Sequence, residues 1–213
     1  MLSWPPTLPS TRTLVIVVVA VVAVGLATFG GWVWYDASQR RVSAAYAEVA
    51  TRVQTAELPD APAEVKAAAA RELEGLLARY PSARTVPQAA FDLGNLKFGA
   101  HDYVGARAAY ELALQHGAPP MISALARSGI ARSWEAQRDF PKAAEAYGAL
   151  VKSLDPKSFV YEDALIDWAR TLELAGRKDE AVAAYQRVLK DVPNARRADD
   201  IRTRLAALGT AAR

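Results

Sequence analysis

A five-residue pattern returns twice in the second half of this chain, and no other feature limits its fold so tightly. Asp102-Tyr103-Val104-Gly105-Ala106 recurs as Asp139-Phe140-Pro141-Lys142-Ala143 and again as Arg177-Lys178-Asp179-Glu180-Ala181. In each copy a tyrosine stands four residues after the alanine: Tyr110, Tyr147 and Tyr185. The steps from Ala106 to Ala143 to Ala181 are 37 and 38 residues. A repeat of that length is one supersecondary unit that cannot bury its apolar face alone, so neighbours must stack into a solenoid. Gly94 to Ala113 reads as helix, tight turn, helix, which makes the unit a helical hairpin and the predicted fold class all-α.

Further marks fall in phase with the pattern. A large residue and then a small one mark each first helix: Leu93-Gly94, Ile130-Ala131 and Trp168-Ala169. The second helices carry Ala106, Tyr110 and Ala113, then Ala143, Tyr147 and Leu150, then Ala181, Tyr185 and Val188, with Pro119, Pro156 and Pro193 closing the units. Small residues at a crossing let two helices approach to roughly 8–10 Å. The aromatic then fills the gap to the next hairpin, and burying it contributes about 1.5–3 kcal/mol. From Gln88 to Asn194 these marks resemble tetratricopeptide repeats. The resemblance implies a protein-interaction scaffold in which one stripe of each first helix lines a concave face. The period exceeds that family's usual length by about three residues. Gly117-Ala118-Pro119-Pro120 and Asp155-Pro156-Lys157-Ser158 absorb the excess. Ala195 to Leu208 is predicted to be a polar capping helix that stops at Gly209.

Thr13 to Tyr35 carries no charge, and its 23 residues exceed the roughly 20 needed to cross a hydrocarbon core. Trp32, Trp34 and Tyr35 sit where an interfacial aromatic belt belongs, followed by Arg40 and Arg41. The run is predicted to be a single transmembrane anchor, since a cleaved signal has a shorter apolar core and a small-x-small end. Ala20, Ala23, Ala27 and Gly30 form a small-residue stripe, either a surface for a partner membrane helix or the ordinary composition of such spans. Arg12 precedes the run, whereas Arg40, Arg41 and Arg52 follow it, which by the positive-inside count puts the larger part of the chain in the cytoplasm.

Residues 1–12, with Pro5, Pro6 and Pro9, read as a flexible tail. Beyond the anchor at 13–35, residues 36–60 read as a helical stalk and linker: Val42, Ala45, Tyr46, Val49 and Val53 share a face, and Leu58-Pro59-Asp60-Ala61-Pro62 breaks the helix. Residues 61–213 read as the repeat domain, opened by a helix that buries Leu73, Leu76 and Leu77 and stops at Pro81. This order of tail, span, stalk and hairpins resembles the YfgM-like bacterial membrane proteins. Leu76-Leu77-Ala78-Arg79-Tyr80-Pro81 and Ala124-Leu125-Ala126-Arg127-Ser128-Gly129-Ile130-Ala131 are similar to that family's linker and second repeat. The resemblance implies an inner-membrane anchor, a periplasmic repeat domain beside the Sec translocon and chaperone-like work on exported chains, against the charge count. Its partners would be translocon subunits, exported polypeptides or subunits of an envelope complex. The alternative is a structural scaffold subunit of such a complex.

Other functions lose ground on composition. The chain has no cysteine, hence no disulfide, thiolate metal site or lipobox, and only two histidines. Its net charge of +3 is spread without a basic block, so nucleic acid is not an expected partner. No Gly-rich phosphate loop, nucleophile elbow or paired-His motif appears, so no enzyme, cofactor, metal or small-molecule substrate is expected. His101 reads as a solvated turn residue, His116 as a helix C-terminal residue, and the pairs Asp139/Glu145 and Glu162/Asp163 as solvated charges.

The candidate partner-binding stripe presents Phe91, Asn95 and Phe98, then Ser128, Arg132 and Glu135, then Ile166, Arg170 and Glu173. Asn95, Arg132 and Arg170 hold equivalent places and resemble the carboxylate-clamp repeats, because a guanidinium fork matches a carboxylate. Phe91 stands where such a clamp has Lys. Glu135 and Glu173 follow the arginines by three residues on the same helix, placed to neutralise them. These departures favour a mixed apolar and polar groove for extended or helical segments.

Overall fold

Short links leave consecutive helices no arrangement but antiparallel neighbours. The computed structural model describes residues 11–58 and 60–209. In order the elements are α1 (Thr11–Ala56), α2 (Ala63–Arg79), α3 (Val86–Gly99), α4 (Tyr103–Gln115), α5 (Pro120–Ala136), α6 (Phe140–Ser153), α7 (Tyr161–Leu174), α8 (Lys178–Asp191) and α9 (Ala198–Ala207). The expected tail lies outside the described residues, with Pro5, Pro6 and Pro9, except that Thr11 and Arg12 open α1. Pro59 and residues 210–213 also lie outside them. The chain divides into two compact units, residues 1–44 and 45–213.

The first unit is the greater part of α1. This helix is long and apolar enough to cross a membrane. From Leu14 to Val33 its Val and Leu side chains stand exposed, as do Trp32 and Trp34 at 62% and 75%, whereas Val42 is buried. Ala20, Ala23, Ala27 and Gly30 are exposed as well, and a side chain at Gly30 would meet nothing.

In the second unit the last turns of α1 bury Val49, Val53 and Ala56, and α2 buries Leu73, Leu76 and Leu77. A polar knot ties α1 to α3. The Tyr46 hydroxyl donates to Asp92, and Gln88 Nε2 donates to Asp92 Oδ1 at 2.7 Å. Burial pushes the Asp92 carboxyl above the usual carboxylate range, while the bonds from Tyr46 and Gln88 pull it back. Burial likewise raises Glu57 nearby.

Three hairpins follow, α3–α4, α5–α6 and α7–α8. Ala106, Ala143 and Ala181 are fully buried where their helices cross. Tyr110 shows why the small residues are needed. Its ring lies 2.4 Å from where a Cβ at Gly94 would stand, and 2.5 Å from one at Gly129. Both glycines therefore make room for one ring, Gly94 within the hairpin and Gly129 in the next. Tyr147 and Tyr185 are buried to the same degree, and Ile201 and Leu205 of α9 extend their core.

The three hairpin turns share one geometry. His101, Arg138 and Gly176 occupy the left-handed region at φ 63°, 62° and 75°. The next amide closes the helix behind it: Asp102 N–H to Lys97 O at 2.9 Å, Asp139 to Trp134 at 3.0 Å and Arg177 to Leu172 at 2.9 Å. Asp102 and Asp139 then cap the second helix by accepting from the Gly105 and Lys142 amides. Asp139 is thus a cap rather than merely solvated. His101 does more than face solvent, since its Nδ1 lies 2.8 Å from the Tyr103 hydroxyl.

Arg138 carries a Cβ where Gly176 has none. Arg138→Gly is expected to raise stability by about 1 kcal/mol, the cost of left-handed backbone for a non-glycine residue, read as an upward shift in Tm. Asp92→Asn is a test in pH. Because burial raises the folded carboxyl above its unfolded value, ionised Asp92 costs stability as pH rises through that window. The amide variant, with the Gln88 amide turned to accept, is expected to be more stable at pH 7. Its advantage should shrink as pH falls towards about 4, where the unfolded carboxyl also takes up its proton.

Candidate functional site

The predicted stripe on the first helices comes together in the structure, but most of its polar groups are already occupied by one another. The acid near the end of one helix reaches a polar side chain on a later helix, at the clamp positions Asn95 and Arg170 and at Arg204 of the capping helix. Glu57, just past α1, accepts from Asn95 Nδ2 at 3.0 Å. Glu135 on α5 takes both prongs of Arg170 on α7, at 2.5 and 2.9 Å, with Asp167 at 3.2 Å from the same guanidinium. Glu173 on α7 accepts from Arg204 on α9 at 3.1 Å. The pairing thus runs between hairpins, not within one helix at three-residue spacing as expected.

The repeat tyrosines brace this ladder from beneath. Tyr110 donates to Asn95 Oδ1 at 2.9 Å, Tyr185 to Glu173 at 3.1 Å and Tyr147 to Glu135 at 3.5 Å. Burial lifts the Tyr110 and Tyr185 hydroxyls to about 12, so both remain donors at neutral pH. Donating to Glu135 raises the Arg170 guanidinium, and burial lifts Asp167 above the usual carboxylate range. Asn95, Arg170 and Glu173 are therefore engaged within the stack, and Ile166 is buried in the core rather than lining the face.

One rung differs. Where the other hairpins present Glu135 and Glu173, the first presents Phe98. Arg132 lies over that ring, its guanidinium carbon 4.8 Å from the centroid. Arg132 is exposed and, among the described residues, has no ion-pair partner. It stands between two cavities. The first, of about 420 Å³, is lined by Phe91, Asn95, Phe98 and Tyr110 together with Lys66. The second, of about 280 Å³, is lined by Glu135, Tyr147, Asp167 and Arg170. Phe98 and Arg132 border both.

Glu57, Lys66, Asp167 and Arg204 were not singled out as site residues by sequence reasoning, and Tyr147 was read only as a packing residue, although Glu57, Phe98, Glu135 and Glu173 follow one another at close to the repeat period. Glu162 and Asp163 are not simply solvated, for Glu162 accepts from the Arg196 amide at 2.8 Å and Asp163 pairs with its guanidinium. His116 is the C-terminal cap of α4. Among the described residues no group of three or more His, Asp or Glu is placed to hold a metal ion. Chemically the face offers an exposed guanidinium beside aromatic rings, a pair that holds a carboxylate next to apolar side chains.

Arg170 and Arg132 should separate in a stability assay. Arg170→Ala leaves Glu135 half-buried without its charged donors and is expected to cost roughly 1–2 kcal/mol in chemical denaturation. Arg132→Ala removes no ionic partner and is expected to stay within about 0.5 kcal/mol of the parent.

Comparison with curated proteins finds no significant match. The family described as a tetratricopeptide repeat-like domain matches residues 10–210. That stretch takes in every helical hairpin described above, and the chain belongs to the tetratricopeptide repeat-like domain family.

Proposed function

We propose that this protein is a membrane-tethered, non-catalytic interaction module whose first-helix face takes up extended segments of partner polypeptides, with an acidic group of the segment on Arg132. The family supplies the general expectation of protein partners. The observation that carries the site is the broken rung, an exposed guanidinium on the Phe98 ring with a cavity on either side. Asn95 and Phe91 would contact the segment beside Phe98, while Glu135, Arg170 and Glu173 keep the neighbouring helices in register. In this reading Thr13–Tyr35 anchors the chain in a bacterial inner membrane, the repeat unit lies on the periplasmic side, and the segments belong to exported or membrane proteins handled at the Sec translocon.

A second reading is a scaffold subunit of an envelope complex, in which α1 itself packs against partners. The exposed Ala20, Ala23, Ala27 and Gly30 favour it, because small residues allow close approach of a second helix.

The two separate in one pair of measurements. An extended peptide bearing one acidic residue between apolar ones, titrated into the full chain in mild detergent, is expected to lose at least about tenfold in affinity on Arg132→Ala, from a lost charge-assisted hydrogen bond. An unchanged affinity sinks the groove assignment. Crosslinked complexes drawn from native membranes should contain translocon subunits with varied exported chains. One fixed partner set, lost when Ala23 and Ala27 are replaced by Leu, would favour the scaffold.

A further inference from the structure

The two cavities that meet at Arg132 differ in charge. The first sets Lys66 and Arg132 against Glu57, which is engaged with Asn95. In the second, two carboxylates, Glu135 and Asp167, share the guanidinium of Arg170. Glu135 takes both of its prongs, and Asp167 is left with one contact, from Arg170 to Oδ1 at 3.2 Å. Oδ2 of Asp167 has no hydrogen-bond partner among the described residues. The charge of Arg197 reaches Asp167 as well, but no ion pair joins the two. Arg132 offsets the second acid only while it is free. Once an acid of a bound segment lies on Arg132, three negative groups face two positive ones across this cavity.

Tyr147 gives an independent sign of a missing partner. It is 1% exposed and lines the same cavity. Its hydroxyl lies 3.5 Å from Glu135, beyond the roughly 2.5–3.0 Å of an O–H···O bond, whereas Tyr110 and Tyr185 reach their partners at 2.9 and 3.1 Å. A buried phenol held this loosely is under-bonded. Burial and then the Asp167 charge push this hydroxyl up, so Asp167 acts on it directly. A primary ammonium carries three donors and no acceptor, which suits a carboxylate oxygen and a phenol oxygen in one cavity. A divalent metal ion takes a larger set of oxygens, and among the described residues no three acids or histidines are placed for one.

We infer that the second cavity holds the ammonium group of a lysine in the bound segment, which donates to Asp167 and Tyr147, so that the partner motif joins an acid for Arg132 to a lysine two residues away. This rests on the reading of Arg132 as the seat of the acid. Phe98 and Arg132 border both cavities, so the two seats adjoin. Alternate side chains of an extended segment point the same way about 7 Å apart, which lets an acid and a lysine face the groove together. The lysine restores the charge balance that the acid disturbs.

The test uses fluorescent peptides, capped at both ends, titrated into the full-length protein in mild detergent. Each carries one aspartate among apolar residues, with a lysine two places before it or two places after it. The control for each order has Nε-acetyl-lysine at the same place, which keeps the length and removes the charge. In the better order, free lysine is expected to bind about tenfold tighter than its control, the worth of one charge-assisted hydrogen bond. The net charge of +3 on the protein works against a lysine, so such a gain is local. Asp167→Asn, whose side-chain oxygen can still accept from Arg170, is expected to cancel the gain. Tyr147→Phe is expected to reduce it several-fold. Circular dichroism melts check that both variants fold.

Equal affinity of free and acetylated lysine in both orders overturns the lysine seat. If Arg132→Ala still weakens the acetylated peptide, the reading of Arg132 stands without it. A gain that survives Asp167→Asn in a folded variant is general charge attraction and also overturns the proposal. Peptides whose affinity is indifferent to Arg132→Ala overturn both readings. Should Asp167→Asn not fold, the acetylated control on the parent protein and Tyr147→Phe decide the matter.

Discussion

The ring of Tyr110 occupies space that two side chains would otherwise fill. A Cβ at Gly94 or at Gly129 would stand about 2.5 Å from it, closer than real Cβ contacts come. Two helices from successive hairpins therefore approach the same ring, and the ring in turn fixes how far apart they sit. Tyr147 and Tyr185 are buried at the equivalent places, with Ala131 and Ala169 rather than glycine at the Gly94 positions. Because a single hairpin leaves the ring half bare, the hydrophobic gain is collected only when the neighbour is in place.

That spacing brings the first helices close enough for side chains to bridge them. Glu135 to Arg170 and Glu173 to Arg204 are ionic rungs, and at Glu57 the amide of Asn95 takes the place of the cation. Their worth lies in register as much as in energy, since a shift of one helix along its neighbour would part a two-pronged contact. Phe98 interrupts the series and leaves Arg132 with a ring in place of a carboxylate. The same geometry that satisfies Arg170 therefore presents Arg132.

Much of this was legible in the chain. The alanine, tyrosine and proline marks placed the hairpins, and Phe98 and Arg132 were both picked out from their position on the first helices. The partners of the acids were not legible. Three residues along a helix and the step across to the next helix are both within reach of a glutamate side chain. Only the stagger of neighbouring helices decides between them, and Glu135 and Glu173 both take the step across. Ile166 was placed on the open face by its alignment with Ser128, yet it is buried. The αL turn at Arg138 carried no glycine to announce it, and Asn95 was assigned to a ligand because Glu57 lies outside the repeats that the pattern defines.

The stagger also bears on how such an array can grow. Each later hairpin carries a cation that reaches back and an acid that reaches forward. A tandem gene duplication of α7–α8 would bring a second Arg170 to the first Glu173 and hand Arg204 to the copy, with no orphaned charge at the seam. Duplication of α3–α4 would instead set Phe98 against a second Asn95, a seam with no ionic tie. The array is thus built to lengthen from its C-terminal side, and the broken rung marks the end at which it is closed to extension.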